Sequence, residues 1–519
     1  MGKEKRWMTV VVMVLLTVCS WCFWALRYPH AMAYQEQLQM FLFDHEYFTE
    51  RICLPGGLAR YVSEFLVQFY NNVYAGAFVI SMLLLAVHYA VSVLSRRRDE
   101  SCFWYALTLL PSLALWMSMG DMNVRLMFAV SLLFALVAMV GYPHWKDLRC
   151  RVSYLVILTP LLFMAAGPSF FVFALYASLT ELTSRRSVVL ALLALFYSVA
   201  CVICVAPFVP CPVYRLFYGI GYSLVINELP TSLYAVMALT AVTPVVTRLL
   251  PVPDDKSKRS LVISLCMCVA AALLTAGVYP SAFQKSRYDV LRSDYLMRSM
   301  RWDSIIREAE KEQPHAPLTV ATLNLALAMR GQLTERGGQF FQNGWQGAFP
   351  AFNKNFEYSI MTAEIYYHLG LINTAQRLDF EAMEAIPDNN KSVRVVKRLA
   401  ETNIINGDYV VARRYLRLLE KTMFYSAWAK RTLSLVGNDM AVETHPEYGY
   451  LRKMRLRNDF FFSEQEIDKI MGQLVMSNKD NNLAVQYLLF LPQLEGDRQK
   501  YMMYLDFVNK IRSGAVSDF

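Results

Sequence analysis

Residues 73–98 read VYAGAFVISMLLLAVHYAVSVLSRRR, a long apolar run that ends in three arginines. An α-helix needs roughly 17–25 mostly apolar residues to cross a bilayer, and the run 73–94 has that length. Arg96, Arg97 and Arg98 then concentrate positive charge at one end, which is typical of the cytoplasmic side of a membrane. The stretch therefore predicts a membrane-spanning helix with a defined orientation.

Composition divides the chain into two parts. Hydrophobic residues make up 55% of the 519 residues, which is more than an ordinary soluble protein contains. The apolar runs lie between Met8 and about Val278, whereas the remainder has the mixed charge of a soluble domain. We therefore predict an all-α protein: a polytopic transmembrane helical bundle over residues 1–280, followed by an exported α-helical solenoid domain over residues 281–519.

Nine segments have the length and the apolar content of membrane spans. The fifth and sixth are short and share the sequence AAGPSF, so they form either a tight hairpin or one re-entrant pair. The first imitates a signal peptide, because KEKR precedes it and AMA follows it at residues 31–33, but its aromatic residues suit a retained anchor better. The nine segments cover residues 8–26, 73–94, 101–118, 124–141, 152–166, 169–182, 187–207, 231–250 and 261–279.

Basic residues are distributed unequally between the two sides of this bundle. Alternate connections hold most of them, and because basic connections stay in the cytoplasm, we predict an inner-membrane protein with a cytoplasmic N-terminus and a periplasmic C-terminal domain. The net charge of +9 is thereby explained without a nucleic-acid partner. The inward set is Lys3, Lys5, Arg6, Arg96, Arg97, Arg98, Lys146, Arg149, Arg151, Arg185, Arg186, Lys256, Lys258 and Arg259, and the outward set is Arg27, Arg51, Arg60, Arg125 and Arg215.

Cysteine and histidine residues indicate neither a redox centre nor a zinc site. All ten cysteines precede residue 270, and the C-x-x-C sequences at 19–22 and 201–204 lie inside apolar runs. Cys53 and Cys211 fall in outward connections, where an oxidising compartment permits a disulfide, and their pairing stays open. The seven histidines have no metal-ligand spacing, so no cofactor is expected.

Two similar stretches of the C-terminal part lie 37 residues apart, AEIYYHLGLINTAQRLDFEAMEAIP and AETNIINGDYVVARRYLRLLEKTMF. They resemble the tetratricopeptide repeat, a helix–turn–helix unit of about 34 residues. The resemblance places Gly370 and Gly407 in turns. It also implies further helical pairs around 302–330 and 464–510, in a solenoid that binds a protein partner or serves as a spacer. The matching positions are Ala363, Tyr366, Gly370, Ala375, Ala382 and Pro387, then Ala400, Gly407, Asp408, Tyr409 and Ala412.

Residues 331–356, GQLTERGGQFFQNGWQGAFPAFNKNF, have no clear period. An irregular stretch of this length is often functional when it is ordered. Its aromatic residues could stack on sugar rings, enter a membrane interface or plug the end of the solenoid. Trp345 is therefore a candidate substrate-binding residue.

The first outward connection, residues 27–72, interleaves acids with aromatic residues in YQEQLQMFLFDHEYFTER, residues 34–51. Helical apolar spacing at 36–43 and 61–69, joined by CLPGGLAR, predicts two short helices along the membrane surface. We expect their apolar side chains in the lipid boundary and the acids toward water, or toward a cavity formed with the GDMNVR turn and the aromatic stretch. The lipid-facing set is Leu38, Phe41, Leu42, Leu66 and Phe69.

This layout resembles the membrane glycosyltransferases that use lipid-linked donors. In them a first helix precedes an outward loop with two amphipathic helices and a catalytic acid. The resemblance implies sugar transfer from a polyprenyl-phosphate donor, with a carboxylate as base and a cation on the departing phosphate. Asp44-His45-Glu46 replaces the tight Asp-Glu pair of some members, so a divalent cation is possible but has no ligand motif. The candidate catalytic acids are Glu36, Asp44, Glu46 and Asp121, and the candidate substrate-binding residues are Arg125, Arg215, Arg60 and Trp345, with Arg27 as a further cation.

A closer resemblance is to a family of polytopic membrane proteins from Bacteroidetes with no assigned function, carried by YQEQLQMFLF, PGGLARYVSEFLVQFY and NLALAMRGQL. It implies a compartment rather than an activity. The alternative to the enzyme is therefore a non-catalytic scaffold whose repeat domain recruits envelope-assembly partners. A transporter is less compatible, because ionisable residues are rare within the predicted spans. His88 and Glu181 are exceptions near predicted cytoplasmic ends, where they could reach water, and Glu228 is expected to cap the eighth span.

The predicted topology is tested by labelling introduced cysteines with a membrane-impermeant reagent. Cysteines near Arg97 and Lys256 should be protected in intact cells, and one near Asn390 should be labelled once the reagent has passed any outer membrane. Protection at position 390 would contradict the orientation. Glycosylation of the sequon Asn390-Lys391-Ser392 would instead indicate a eukaryotic lumen.

Overall fold

The computed structural model describes residues 2–95, 104–218, 230–251, 258–386, 390–459 and 466–513. Throughout these ranges the regular elements are helices and no β-strand occurs, so the predicted all-α class is confirmed. Several residues used in the sequence interpretation lie outside the described ranges. They are residues 96–98, Lys256, Glu228 and Pro387.

The chain forms two compact units, Met1–Lys285 and Ser286–Phe519. In the first unit α5 and α7 pack against each other, and α1, α4, α6 and α9 pack on one or the other of them. The helices are α1 Gly2–Cys22, α2 Pro29–Gln37, α3 His45–Ile52, α4 Gly57–Val67, α5 Val73–Leu94, α6 Leu110–Ser118, α7 Leu126–Gly141, α8 Leu148–Ala166, α9 Phe170–Thr183, α10 Val188–Val205, α11 Val213–Tyr218, α12 Ser232–Leu249 and α13 Lys258–Ala282.

Seven helical segments among the described residues are long and apolar enough to cross a membrane, which makes the chain a membrane protein. Many of their apolar side chains are exposed, such as Phe196 and Leu273, and an apolar helix surface is stable where it faces lipid. The segments are Thr9–Arg27, Val73–Leu94, Leu126–His144, Leu148–Thr183, Val188–Phe208, Ser232–Leu249 and Val262–Ala282.

The difference from the nine predicted segments arises at two places. The predicted spans 152–166 and 169–182 both lie within the single long stretch Leu148–Thr183. The third predicted span is represented by Tyr105–Ser118, which is apolar but shorter than a full crossing. It begins as a 3₁₀ helix and passes into α6 at Leu110, next to Pro111, and proline suits the first turn of an α-helix because its missing amide would be unpaired there in any case.

The AAGPSF sequence forms the turn between α8 and α9. Gly167 has a φ of +62°, a conformation that only glycine adopts without strain. A Cβ on Gly167 would lie 3.3 Å from the Cα of Gly56, and the Gly56 amide donates to the carbonyl of Phe163 at 3.1 Å. The first connection therefore packs backbone to backbone against the end of α8.

The second unit contains fourteen α-helices among its described residues. α18 packs on α19, α20 packs on α21, and α19 also contacts α20, so the two pairs are adjacent. The helices are α14 Lys285–Arg298, α15 Trp302–Lys311, α16 Pro317–Met329, α17 Leu333–Arg336, α18 Phe356–Leu369, α19 Ile372–Glu384, α20 Val393–Asn406, α21 Tyr409–Glu420, α22 Ser426–Leu433, α23 Asp439–Thr444, α24 Tyr448–Met454, α25 Ile467–Ser477, α26 Asn482–Glu495 and α27 Arg498–Arg512.

Two glycines end the first helix of each adjacent pair. Gly370 follows α18 and Gly407 follows α20, with φ values of +93° and +87°. Both are left-handed caps, which release the chain from the helix into a short turn. Ala375 on α19 and Ala412 on α21 have no exposed surface, so small side chains occupy the seams between the paired helices.

Replacing each of these two glycines with alanine makes a matched comparison of the turns. Each alanine would adopt a left-handed conformation that costs about 1–2 kcal/mol. A Cβ at 407 meets nothing within 4 Å, whereas a Cβ at 370 lies 2.9 Å from the carbonyl oxygen of Met454. Gly370→Ala should therefore lower the thermal unfolding midpoint of the full chain in detergent more than Gly407→Ala does. Equal midpoints for the two variants would show that the close approach of position 370 to the Met454 carbonyl does not affect stability.

Candidate functional site

The first connection, residues 27–72, contains three α-helices rather than two surface helices. The predicted helix over 36–43 is wrong beyond Gln37, where α2 ends and a non-helical segment begins. The chain becomes helical again at His45, because the Asp44 side chain caps α3 by accepting a hydrogen bond from the Glu46 amide at 3.4 Å. Two of the predicted catalytic acids, Asp44 and Glu46, therefore lie at the start of α3.

The α4 helix turns its polar face inward. Arg60, Ser63 and Glu64 are buried, whereas Leu58 is exposed and Phe65 is half-buried. In a soluble protein the apolar stripe of a helix faces the core. The opposite arrangement in α4 is stable only where the apolar side meets lipid or another apolar surface.

The predicted lipid-facing set is only partly correct. Leu66 and Phe69 are half-exposed, in agreement with a lipid boundary. The prediction is wrong for Leu38, Phe41 and Leu42, each of which is buried. The Phe41 ring packs within 5.0–5.6 Å of the rings of Tyr47, Tyr61 and Phe65, so these aromatic residues form an internal cluster rather than an anchor.

A buried ion cluster joins α3 to α4. Glu64, which is 1% exposed, accepts hydrogen bonds from Arg60 Nε at 3.0 Å and from Arg51 Nε at 3.1 Å. The Tyr47 hydroxyl also donates to Glu64, and the Arg51 guanidinium lies 4.5 Å from the centre of the Tyr47 ring. Arg51 additionally contacts the exposed Glu50 at 3.2 Å. Both oxygens of Glu64 are thus engaged.

The electrostatics of this cluster keep Glu64 ionised. Burial alone would raise the pKa of Glu64, but the guanidiniums of Arg60 and Arg51 outweigh it and hold the pKa below its ordinary value of 4.5. Burial, together with the negative charge of Glu64, raises the pKa of the Tyr47 hydroxyl far above its ordinary range. Glu64 is therefore a structural counter-ion, and Arg60, a predicted substrate-binding residue, is bound to it.

The α2 helix lies against the GDMNVR turn. Gln35 Nε2 donates to the carbonyls of Met122 at 2.9 Å and Val124 at 3.4 Å. Glu36, the next residue of α2, is buried, and so is Arg125, which immediately precedes α7. The structure therefore brings the elements that carry the predicted acid Glu36 and the predicted cation Arg125 to the same end of the first unit.

A small cavity lies between α2 and this turn. Its volume is about 20 Å³ and its lining includes Trp24, Gln35, Tyr70 and Met122. The buried Trp24 Nε1 and Gln35 Oε1 atoms have no hydrogen-bond partner in the described structure. One donor and one acceptor in a space for about one water molecule fit a bound water.

The remaining candidate residues have other surroundings. Asp121 is half-buried, and its side chain accepts from the Asn123 amide at 2.9 Å, which shapes the turn. Arg215 on α11 is half-buried beside Tyr214, whose hydroxyl accepts from its Nε at 3.3 Å. In the second unit, Trp345 donates through Nε1 to Glu495 Oε1 at 2.6 Å.

Two ionisable residues of the predicted spans are more deeply buried than expected. Neither His88 nor Glu181 has exposed surface, so the expectation that they reach water is wrong. The two nitrogens of His88 lie 3.2 Å from the carbonyl oxygen of Thr108 and 2.8 Å from the hydroxyl of Tyr105.

Glu181 forms a second buried cluster at the ends of α7, α8 and α9. It accepts two hydrogen bonds from Arg151 Nη1, at 2.6 and 2.5 Å. The Tyr142 hydroxyl donates to it at 2.7 Å, and Arg185 lies at 3.5 Å. The cluster joins three helices through one carboxylate.

The second unit contains a further buried ionic network. Glu364 on α18 accepts from Arg394 Nη2 at 3.0 Å and from Arg398 Nη2 at 2.7 Å. Arg394 also binds Asp294 on α14 at 2.8 Å, and Arg398 binds Glu401 at 2.9 Å. Burial would raise the pKa of Glu364, but the two guanidiniums hold it well below its ordinary value. The network ties α14, α18 and α20 together.

No metal centre or disulfide emerges from the described ranges. No group of three or more His, Cys, Asp or Glu side chains in them could hold a metal ion. Cys53 and Cys211 are both free thiols.

The energetic role of Glu64 can be measured against a matched acid. Glu64→Gln leaves two buried guanidiniums without their carboxylate, and breaking a buried pair costs about 3–5 kcal/mol. Glu46→Gln, at an exposed position of α3, should have little effect. We expect a large fall in the thermal midpoint in detergent for the first variant only.

The same pair of variants has an expected pH dependence. Because the folded pKa of Glu64 is depressed, its contribution is fully present above the ordinary value of 4.5 and is lost only as the pH falls through the folded pKa. The difference in midpoint between wild type and Glu64→Gln should therefore stay constant from about pH 6 to 8. A difference that changes within that window would mean that another group carries the effect.

Comparison with known proteins gives one result. The chain matches, over residues 3–515, the description "Family of unknown function (DUF6057)". No curated protein and no solved structure matches it. Because the match covers almost the whole chain, the protein belongs to the DUF6057 family.

Proposed function

We propose that this chain is an integral membrane protein of the cell envelope that acts as a glycosyltransferase-like enzyme. It transfers sugar from a polyprenyl-phosphate donor on the outer face of the cytoplasmic membrane. The observation that supports the proposal is the packing of α2 on the GDMNVR turn, through the hydrogen bond of Gln35 to Met122, beside a small cavity.

The proposed chemistry uses the acids and the cation that these two elements carry. Glu36 or Asp121 accepts the proton of the acceptor hydroxyl as the sugar–phosphate bond breaks. Arg125 stabilises the negative charge that develops on the departing phosphate. The cavity has room for about one water rather than a sugar, so the donor enters by separating α2 from the turn, as lids do in many enzymes.

The proposed topology has nine crossings, with the N-terminus in the cytoplasm. It counts α6 as a short crossing and counts α8 and α9 separately. Contacts at the proposed cytoplasmic side support this alternation, because Arg151 and Arg185 come from different inward connections and both bind Glu181. Trp104 Nε1 likewise donates at 3.0 Å to the carbonyl of Pro251 in another inward connection.

Contacts at the other side support the same alternation. The first outward connection reaches three other outward positions, through Gln35 to Met122 at 2.9 Å, through Gly56 to Phe163 and through a hydrogen bond between Tyr28 and Tyr279. Each of these contacts joins two segments assigned to the outer face. The second unit, which follows α13, is then periplasmic in the proposal.

A non-catalytic scaffold is the second candidate. It is favoured by the structural roles of two predicted site residues, since Asp44 caps α3 and Arg60 binds Glu64. On this alternative the paired helices of the second unit form a tetratricopeptide-like surface for envelope-assembly proteins, and the acids of the first connection are solvated or structural.

Four amide substitutions distinguish the two candidates in a cell-envelope complementation assay. Glu36→Gln and Asp121→Asn should abolish function at unchanged protein level, because an amide keeps the shape of the acid but cannot accept a proton. Asp44→Asn and Glu46→Gln are the matched controls and should retain function, since asparagine also caps helices. If all four variants function while deletion of residues 286–519 abolishes function, the protein is a scaffold.

A further inference from the structure

A stripe of positive charge runs along α21 and ends at Lys421, the residue that follows the helix. Arg413, Arg414, Arg417 and Lys421 recur at the spacing of one helix face, and all four are exposed. The opposite face is apolar, and its Ala412, Leu416 and Leu419 have no exposed surface. Packing on α20 and α22 therefore fixes the stripe outward.

The three arginines of the stripe have no counter-ion in the part of the chain that the structure describes. Among the described residues, no side chain or carbonyl pairs with the guanidiniums of Arg413, Arg414 or Arg417. Several other arginines of the second unit are paired, for example Arg292 with Glu308 at 2.7 Å and Arg336 with Glu310 at 2.6 Å. Like charges at these spacings destabilise a helix, so the stripe is a cost that an anionic surface would remove.

Apolar side chains lie next to this charge. Met423 and Phe424, which follow Lys421 in the turn before α22, are 42% and 38% exposed. α22 adds the exposed Lys430 and Arg431. Residues 409–433 contain six basic residues and one acid, Glu420. Basic residues beside exposed apolar residues are the composition of a surface that binds anionic lipid.

We propose that the α21–α22 hairpin, residues 409–433, docks on an anionic lipid surface. The stripe binds headgroup phosphates, and Met423 and Phe424 enter the interface. The second unit begins at Ser286, directly after the last membrane segment ends at Ala282, so it is tethered close to a bilayer. Because tethering raises the effective concentration of the lipid surface, a weak affinity of the hairpin for lipid is sufficient for docking. This inference goes beyond the proposed function and holds for an enzyme or a scaffold.

Hydrogen exchange of the full chain in lipid nanodiscs tests the proposal. The backbone amides of residues 421–425, in the turn after α21, should exchange more slowly in discs that contain phosphatidylglycerol than in discs of phosphatidylcholine alone. Added salt should remove this difference, because it screens exposed charges. Equal exchange in the two kinds of disc overturns the proposal.

Charge-reversal variants provide the matched control. Arg413→Glu/Arg417→Glu should abolish the lipid-dependent protection. Arg307→Glu/Lys311→Glu makes the same change in charge at two exposed positions one turn apart on α15, and it should leave the protection intact. Loss of protection in both variants would indicate a non-specific charge effect, and protection that needs an added acidic protein would assign the stripe to a protein partner. Either result overturns the lipid assignment.

Discussion

The carboxylate of Glu64 holds the first connection, residues 27–72, in its shape. A buried charge is costly unless it is paired and hydrogen-bonded, and Glu64 meets that condition through Arg51, Arg60 and Tyr47. These partners come from α3 and α4, so one residue sets the angle between two helices. The inward polar face of α4 follows, and with it the outward apolar face.

The backbone contact at Gly56 and Gly167 fixes the position of that assembly on the bundle. Both glycines have positive φ values and lie in contact. Neither position therefore accepts a side chain unless the backbone of the other glycine is displaced. The α2 helix is held separately by Gln35 on the GDMNVR turn. Three features therefore position the candidate site: the Glu64 ion cluster, the contact of Gly56 with Gly167, and the hydrogen bonds of the Gln35 amide.

The helical class and the membrane character could be predicted because both depend on local properties of the chain. An apolar run of sufficient length has few alternatives to a spanning helix. Gly370 and Gly407 likewise mark turns through their own conformational freedom. The number of crossings is harder to predict, because α6 is short and Gly167 interrupts a single long helical stretch.

The candidate site was predictable only in outline. The residue pattern predicts apolar side chains at the lipid and acids in water, but Phe41 and Glu36 are both buried. The periodicity of apolar residues locates the two faces of a helix. It does not tell which face packs inward, because an apolar face can contact either the protein core or lipid. Glu64 was missed, although its spacing of four residues from Arg60 is a recognised pairing signal. The contacts of Gln35 with Met122 and of Arg394 with Asp294 span 87 and 100 residues and leave no local trace.

The ion cluster has a consequence for how the protein is made. The described partners of Glu64 all lie within the first connection, so on the proposed topology the cluster can form as soon as that connection has been translocated. Its docking site at Phe163 emerges about 100 residues later, which at 5–20 residues per second is a delay of roughly 5–20 seconds. During that interval the connection must persist as a small independent structure, with the apolar side of α4 already turned away from its ion cluster. Assembly of the bundle then requires α8 to pack against a first connection that has already folded.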